Sequence, residues 1–150
     1  MLYHAIWQPP GAPLLPRSVV QAPELSRYVS GWGTQPGDLG LIAVSDSAAV
    51  LGAAWLRVHA PPGAYGFWRS DTPELSVAVV PGRRDQGIGS ALLRALLAAA
   101  AGVFPAVSLS VTIANPAFRL YQRLGFAVVR EDGDSATMVL PLKPSGPSDA

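Results

Sequence analysis

The sequence predicts an α/β (α+β) fold: a mixed β-sheet of about seven strands flanked by about four helices. Three observations carry that prediction. Short apolar, β-branched runs alternate with stretches of helical spacing. Two neighbouring runs are joined only by Ser45-Asp46-Ser47, a hairpin signal that requires antiparallel pairing. Later strands are separated by helical segments, and such crossovers can join parallel strands.

In order along the chain, Tyr3 to Trp7 reads as a first short strand, ended by Pro9-Pro10-Gly11. Val19, Val20, Leu25, Tyr28 and Val29 give the spacing of one or two short helices, with Pro23 as a break or restart. Leu39 to Val44 and Ala48 to Val58 form the hairpin, and a long loop from Ala60 to Pro73 follows. Leu75 to Val80 is a strand stopped by Pro81-Gly82. Ser90 to Ala101 is an Ala- and Leu-rich helix with one charge, Arg94, expected to be buried on more than one side and capped by Gly102. Val107 to Ile113 is almost continuously apolar, as an interior strand is. Asn115-Pro116 opens a helix that Gly125 ends, and Phe126 to Arg130 and Thr137 to Leu142 are the last strands. Residues 1–142 are expected to form one domain, and the tail from Lys143 to be disordered.

Composition narrows the function. Of the 150 residues, 49% are hydrophobic and 14% charged, which suits a packed core rather than a disordered chain. A net charge of +1, with no more than two basic residues together, offers no field for nucleic acid or an anionic membrane. The absence of cysteine removes thiolate nucleophiles and Cys-based zinc sites, and with only His4 and His59 no metal is expected. Met1 to Gly11 does not read as a signal peptide, and Ala91 to Phe104 is too short and too interrupted to span a bilayer. A cytoplasmic protein is the expectation.

The most informative stretch is Leu75 to Leu97: a strand, an Arg- and Gly-bearing loop, then a helix. A helix start offers unpaired N–H groups and a positive dipole end to a phosphate. Gly87 and Gly89 allow a close backbone approach, Ser90 adds a hydroxyl, and Arg83 and Arg84 add charge. A Rossmann loop would need a third glycine where Leu92 stands, and a Walker loop would need a Lys-Ser/Thr pair that is missing. An ordinary strand-to-helix turn with surface arginines stays open on the loop alone.

Val79-Val80-Pro81-Gly82-Arg83-Arg84-Asp85-Gln86-Gly87-Ile88-Gly89-Ser90 resembles the acyl-CoA loop of the GNAT family of N-acetyltransferases. The family pattern is Gln/Arg-x-x-Gly-x-Gly/Ala after a strand, met by Arg84, Gly87 and Gly89. Asn115 to Phe126, containing Leu120-Tyr121 and Gly125-Phe126, is similar to the family's Asn…Leu-Tyr-x-x-x-Gly-Phe helix. The resemblance implies acetyl-CoA as co-substrate, lying between two parallel strands that splay apart, here Leu75 to Val80 and Val107 to Ile113. It assigns the pyrophosphate to Arg84, Asp85, Gln86, Gly87, Ile88, Gly89 and Ser90, and pantetheine to the backbone of Val79 and Val80.

Tyr121 matches the family tyrosine that protonates the leaving thiolate or positions the thioester. The spacing of Phe118, Tyr121 and Leu124 also fits the core face of a helix. Asn115 matches a pantetheine-binding asparagine but equally suits helix capping. Glu74 matches the place of a general base. It stands roughly 16 Å up the strand from Val79 at about 3.3 Å per residue; a solvated strand-end carboxylate is the alternative, with Asp71 or water as substitutes for the base. In this fold the early helices and the loop before the strand from Leu75 wall the acceptor pocket. That would bring Trp32, Tyr65, Phe67, Trp68 and Arg69 to it, unless these aromatics only pin a Gly/Pro-rich loop. The expected activity is direct acetyl transfer to a primary amine of a small molecule or peptide; the alternative is a non-catalytic acyl-CoA sensor. The family habit makes a homodimer plausible.

Overall fold

The computed structural model describes residues 1–60 and 63–143. The expected disordered tail, beyond Lys143 itself, lies outside them. The chain folds into a six-stranded sheet in the order β1-β2-β3-β4-β6-β5. Its strands are β1 (Leu39–Val44), β2 (Val50–Arg57), β3 (Glu74–Val79), β4 (Ala106–Thr112), β5 (Ala127–Asp132) and β6 (Ser135–Pro141). The hairpin β1–β2 and the pairs β2–β3, β4–β6 and β5–β6 are antiparallel, while β3 and β4 run parallel. The mixed sheet is as the sequence predicts.

The first expected strand is not one. Leu2–Ala5 forms a single helical turn, α1, which packs over β3. Pro9, Pro10, Pro13 and Pro16 deny the N-terminal segment the N–H donors of a ladder. It instead folds back across the sheet, with the Tyr3 hydroxyl donating to Leu15 O at 2.7 Å. The helical stretch after it divides at Pro23, into a 3-10 turn (Arg17–Gln21) and α2 (Pro23–Ser26).

Helix α3 (Ile88–Ala100) begins two residues before the expected start, so Ile88, Gly89 and Ser90 form its first turn. It buries Leu92, Leu93, Leu96 and Ala100 but exposes Ala91, Arg94, Ala95, Ala98 and Ala99. Its burial is therefore one-sided, because alanine is a strong helix former that tolerates water and its count overstates apolarity. Gly102 is not its cap: Ala101 ends the helix in right-handed geometry and the chain runs on into a turn. Helix α4 (Ala117–Leu124) stops at Gly125, with φ of 103°. Among the described residues no helix is long and apolar enough to cross a membrane.

Alternation along the strands sorts the site. The register Leu56↔Leu75 and Ala54↔Val77 puts Leu75 and Val77 on the face that α3 covers. Arg57↔Glu74 and Trp55↔Ser76 put Glu74 and Ser76 on the opposite face, where α1 and α2 lie. The α3-side core gathers Leu56, Leu93, Leu96, Leu109 and Met138, and Tyr121 of α4 belongs to it. On the other face Arg57 is buried in a bidentate pair with Asp38 and donates to Arg27 O and Ser30 O. Those bonds pin the segment that carries Tyr28.

Candidate active site

The parallel strands β3 and β4 pair only at Glu74↔Ser108. Beyond that point they part, as the resemblance implies. In the antiparallel ladder with β2, the Val80 N–H is taken by Leu51 O at 2.9 Å. The alternation of such a ladder then turns the N–H and C=O groups of Val77 and Val79 toward the opening. Of the expected pair, Val79 thus turns its N–H to the cleft, its C=O already accepting from Arg84, while the Val80 N–H is occupied; Val77 joins it as a residue that the sequence reading omitted.

A cavity of about 270 Å³ opens at the fork. Glu74, Tyr121 and Asn115 all line it, although 47 residues separate Glu74 from Tyr121 in the chain. Ser76 and Ser110 border it from one face of the sheet and Val77 and Tyr121 from the other, so the cavity runs through the split itself.

Glu74 is only 3% exposed, which rules out the solvated strand-end carboxylate. Its Oε1 accepts from the Tyr28 hydroxyl at 2.6 Å and from the Gly66 N–H at 2.9 Å. Its Oε2 is buried with no hydrogen-bond partner among the described residues. Burial raises its pKa to about 7, against the smaller downward pull of those two bonds. Tyr28 is itself pushed well above its ordinary value, first by burial and then by the Glu74 charge, and so remains a donor. His59 packs edge-on against Tyr28 with ring centroids 5.1 Å apart, and burial lowers its pKa to about 4, keeping it neutral.

Gly66 sits where no side chain fits. An added Cβ would stand 2.6 Å from backbone atoms of Leu109 and Ser110 and 2.7 Å from Glu74 Oε1. This contact lets the loop cross β4 and deliver its N–H to the carboxylate. The adjoining Tyr65 N–H donates to the Tyr28 hydroxyl at 3.2 Å, so loop, tyrosine and glutamate form one chain of bonds.

Tyr121 is buried, T-shaped against Phe126, and burial raises its pKa to about 12. The ring belongs to the core, as the helix spacing predicts, and also borders the cavity. Asn115 Oδ1 accepts from Ala117 N at 2.9 Å, which is the capping role, in a side chain that also lines the cavity.

Arg84 to Ser90 follow the end of β3 outside this cavity. Arg84 Nε donates to Val79 O at 3.2 Å, and Gln86 Nε2 to Gly82 O at 3.4 Å. Asp85 has a positive φ of 62°, and Gly87 caps α3 in left-handed geometry with φ of 80°. No side chain caps this end, so the N–H groups of Ile88, Gly89 and Ser90 lack intrahelical acceptors. A left-handed turn leading into bare helical N–H groups makes an anion-accepting surface.

The acceptor side differs more from expectation. Of the aromatic set, Tyr65 alone borders the cavity. Trp32 lies beneath Arg57 and lines a second, more apolar hollow with Leu41 and Trp55. The Phe67 carbonyl accepts from Arg130 of β5, which ties the loop to the sheet edge, and Trp68 stacks with its neighbour Arg69. Asp71 is exposed, bonded to Thr72 and outside the cavity.

Residues 37–128 match the sequence model of the acetyltransferase (GNAT) domain. The chain belongs to the GNAT family. Among solved structures it is similar to a GCN5-related N-acetyltransferase from Kribbella flavida, at 25% identity and a TM-score of 0.62 over 78% of this chain and 76% of that one. It is also similar to yncA of Salmonella typhimurium, solved with its cofactor acetyl-CoA, at 27% identity and a TM-score of 0.57 over 76% and 70%. The ribosomal-protein-S18-alanine N-acetyltransferase of Escherichia coli shares the fold at 24% identity and a TM-score of 0.60, over 83% and 80%. No curated protein sequence matches the chain. The matched range includes Glu74, Arg84 to Ser90 and Tyr121.

Proposed function

We propose that this chain is an acetyl-CoA-dependent N-acetyltransferase acting on a primary amine. The observation that carries the reading is the meeting of Glu74 and Tyr121 in one cavity at the fork of β3 and β4. The open N–H and C=O of Val77 and the open N–H of Val79 suit the amides of a pantetheine arm, and the anion-accepting turn Arg84 to Ser90 suits the pyrophosphate. The yncA relative, solved with acetyl-CoA, supports that donor.

In this reading Glu74 Oε2 takes a proton from the acceptor ammonium, leaving a neutral amine. The amine nitrogen forms a bond to the acetyl carbonyl carbon, the C–S bond breaks, and the sulfur takes a proton from the Tyr121 hydroxyl. The proton that the acylated nitrogen gives up returns to the Tyr121 oxygen. Amine plus acetyl-CoA thus gives amide plus free CoA thiol, with no acyl-enzyme. A carboxylate with a pKa near 7 is matched to this task, because its proton affinity lies near the working pH. Burial keeps the Tyr121 phenol protonated and so a donor toward the sulfur.

The test is thiol release from acetyl-CoA with amine acceptors, comparing wild type with Tyr121→Phe. The substitution keeps the ring against Phe126 and removes only the hydroxyl. We expect kcat to fall roughly ten- to a thousandfold with little change in acetyl-CoA affinity. An unchanged kcat would leave Tyr121 a core residue only.

A further inference from the structure

The acceptor side of the cavity has a chemistry of its own. On the Glu74 face its wall comes from α1, α2, the segments that follow them and the loop over β4: Leu2, Ile6, Trp7, Leu25, Tyr28 and Tyr65. Glu74 is the only ionisable carboxylate among the lining residues, and no lysine or arginine side chain joins it. Ser76 and Ser110 add hydroxyls on this face, and the rest of its wall is aromatic and aliphatic. A second ammonium on the acceptor would meet no second carboxylate among the described lining residues, and a carboxylate would meet no lysine or arginine. Flat apolar groups, by contrast, meet the rings of Trp7 and Tyr65. The cavity of about 270 Å³ also takes the thioester end of the donor, which leaves space for a small acceptor rather than a folded segment.

We infer that the acceptor is a small monoamine with an uncharged, apolar, ring-bearing body, its one ammonium directed to Glu74. This rests on the N-acetyltransferase reading above and adds the substrate class. It places Tyr65 beside the body of the acceptor, and Tyr28 and Gly66 as positioning residues behind the carboxylate.

The experiment compares three acceptors by thiol release: 2-phenylethylamine, phenylalanine (the same body bearing a carboxylate) and spermidine (a polycation). The melting shift with acetyl-CoA is read on the same preparation. We expect kcat/KM to be highest for 2-phenylethylamine. Tyr65→Glu, at an exposed position whose side chain borders the cavity, supplies a second acid while its backbone bond to Tyr28 is kept. It is expected to raise the ratio of spermidine to 2-phenylethylamine turnover about fivefold, the factor of one partly solvated ion pair. Preference for spermidine or phenylalanine in the wild type, no turnover of 2-phenylethylamine, or a ratio that Tyr65→Glu leaves unmoved would each overturn the assignment. If acetyl-CoA still shifts the melting curve, the acceptor class alone has failed; if it does not, the underlying reading has failed with it.

Discussion

At the scale of single residues, Glu74 carries the most weight, and its environment makes two separable predictions. Its pKa of about 7 means that activity should rise with pH through neutrality as Oε2 loses its proton. Glu74→Gln keeps an oxygen for Tyr28 and Gly66 but removes the base. A pH–rate profile with one good acceptor should therefore show kcat/KM reduced near neutrality and partly recovered at higher pH, where the amine arrives neutral. Superimposable profiles would remove Glu74 from the chemistry. Stability should move the other way. The folded-state pKa is raised above the ordinary 4.5, so between these values the folded state binds the extra proton. Ionising the buried group then costs stability as pH rises toward and past about 7. Relative to Glu74→Gln, wild type should lose a few degrees of melting temperature between about pH 5 and pH 8. Parallel melting curves for the two proteins would contradict the burial of the charge. The sequence placed Glu74 at the strand start but gave no sign of Tyr28. That tyrosine read only as an apolar helix position, because its partner lies 46 residues away and is met only through folding.

At the scale of elements, the turn from β3 into α3 was the most legible part of the chain, since glycines and arginines advertise a tight loop on a helix start. The local signals were least reliable at Tyr3 to Trp7, a run too short for its period to tell strand from helix, and on the outer face of α3, where alanine overstates apolarity. Gly87 and Gly89 look equivalent in the sequence and are not equivalent in space. Gly87 needs its glycine for a left-handed φ of 80°. Gly89 is helical, and a Cβ there would meet only Val79 Cγ2 at 3.7 Å, an ordinary contact. Gly89→Ala should therefore leave the fold intact and add roughly 0.5–1 kcal/mol of stability, as alanine replaces glycine in a helix. The family pattern allows alanine at this place, so acetyl-CoA affinity should change little in Gly89→Ala. If the first turn of α3 receives the pyrophosphate, the bulky side chain of Gly89→Leu should weaken acetyl-CoA binding at least several-fold. Calorimetry on the two variants checks both: unchanged affinity in Gly89→Leu would move the phosphate elsewhere.

At the scale of the whole molecule, the order of the elements was legible and the acceptor pocket was not. Strand and helix periodicity are local, and the crossover through α3 is what lets β3 and β4 lie as parallel neighbours. The pocket wall instead depends on where a proline-rich N-terminal segment comes to rest, and no local pattern encodes that. The account as a whole stands on one linkage: a molecule that fills the fork and the α3 turn binds the folded state alone and must stabilise it. Acetyl-CoA at about a hundred times its dissociation constant should contribute about 2.7 kcal/mol, a rise of roughly 5–10 °C in melting temperature for a chain of this size. The rise should grow with the logarithm of acetyl-CoA concentration and shrink in Gly89→Leu. A melting curve left unmoved by millimolar acetyl-CoA would contradict the central claim.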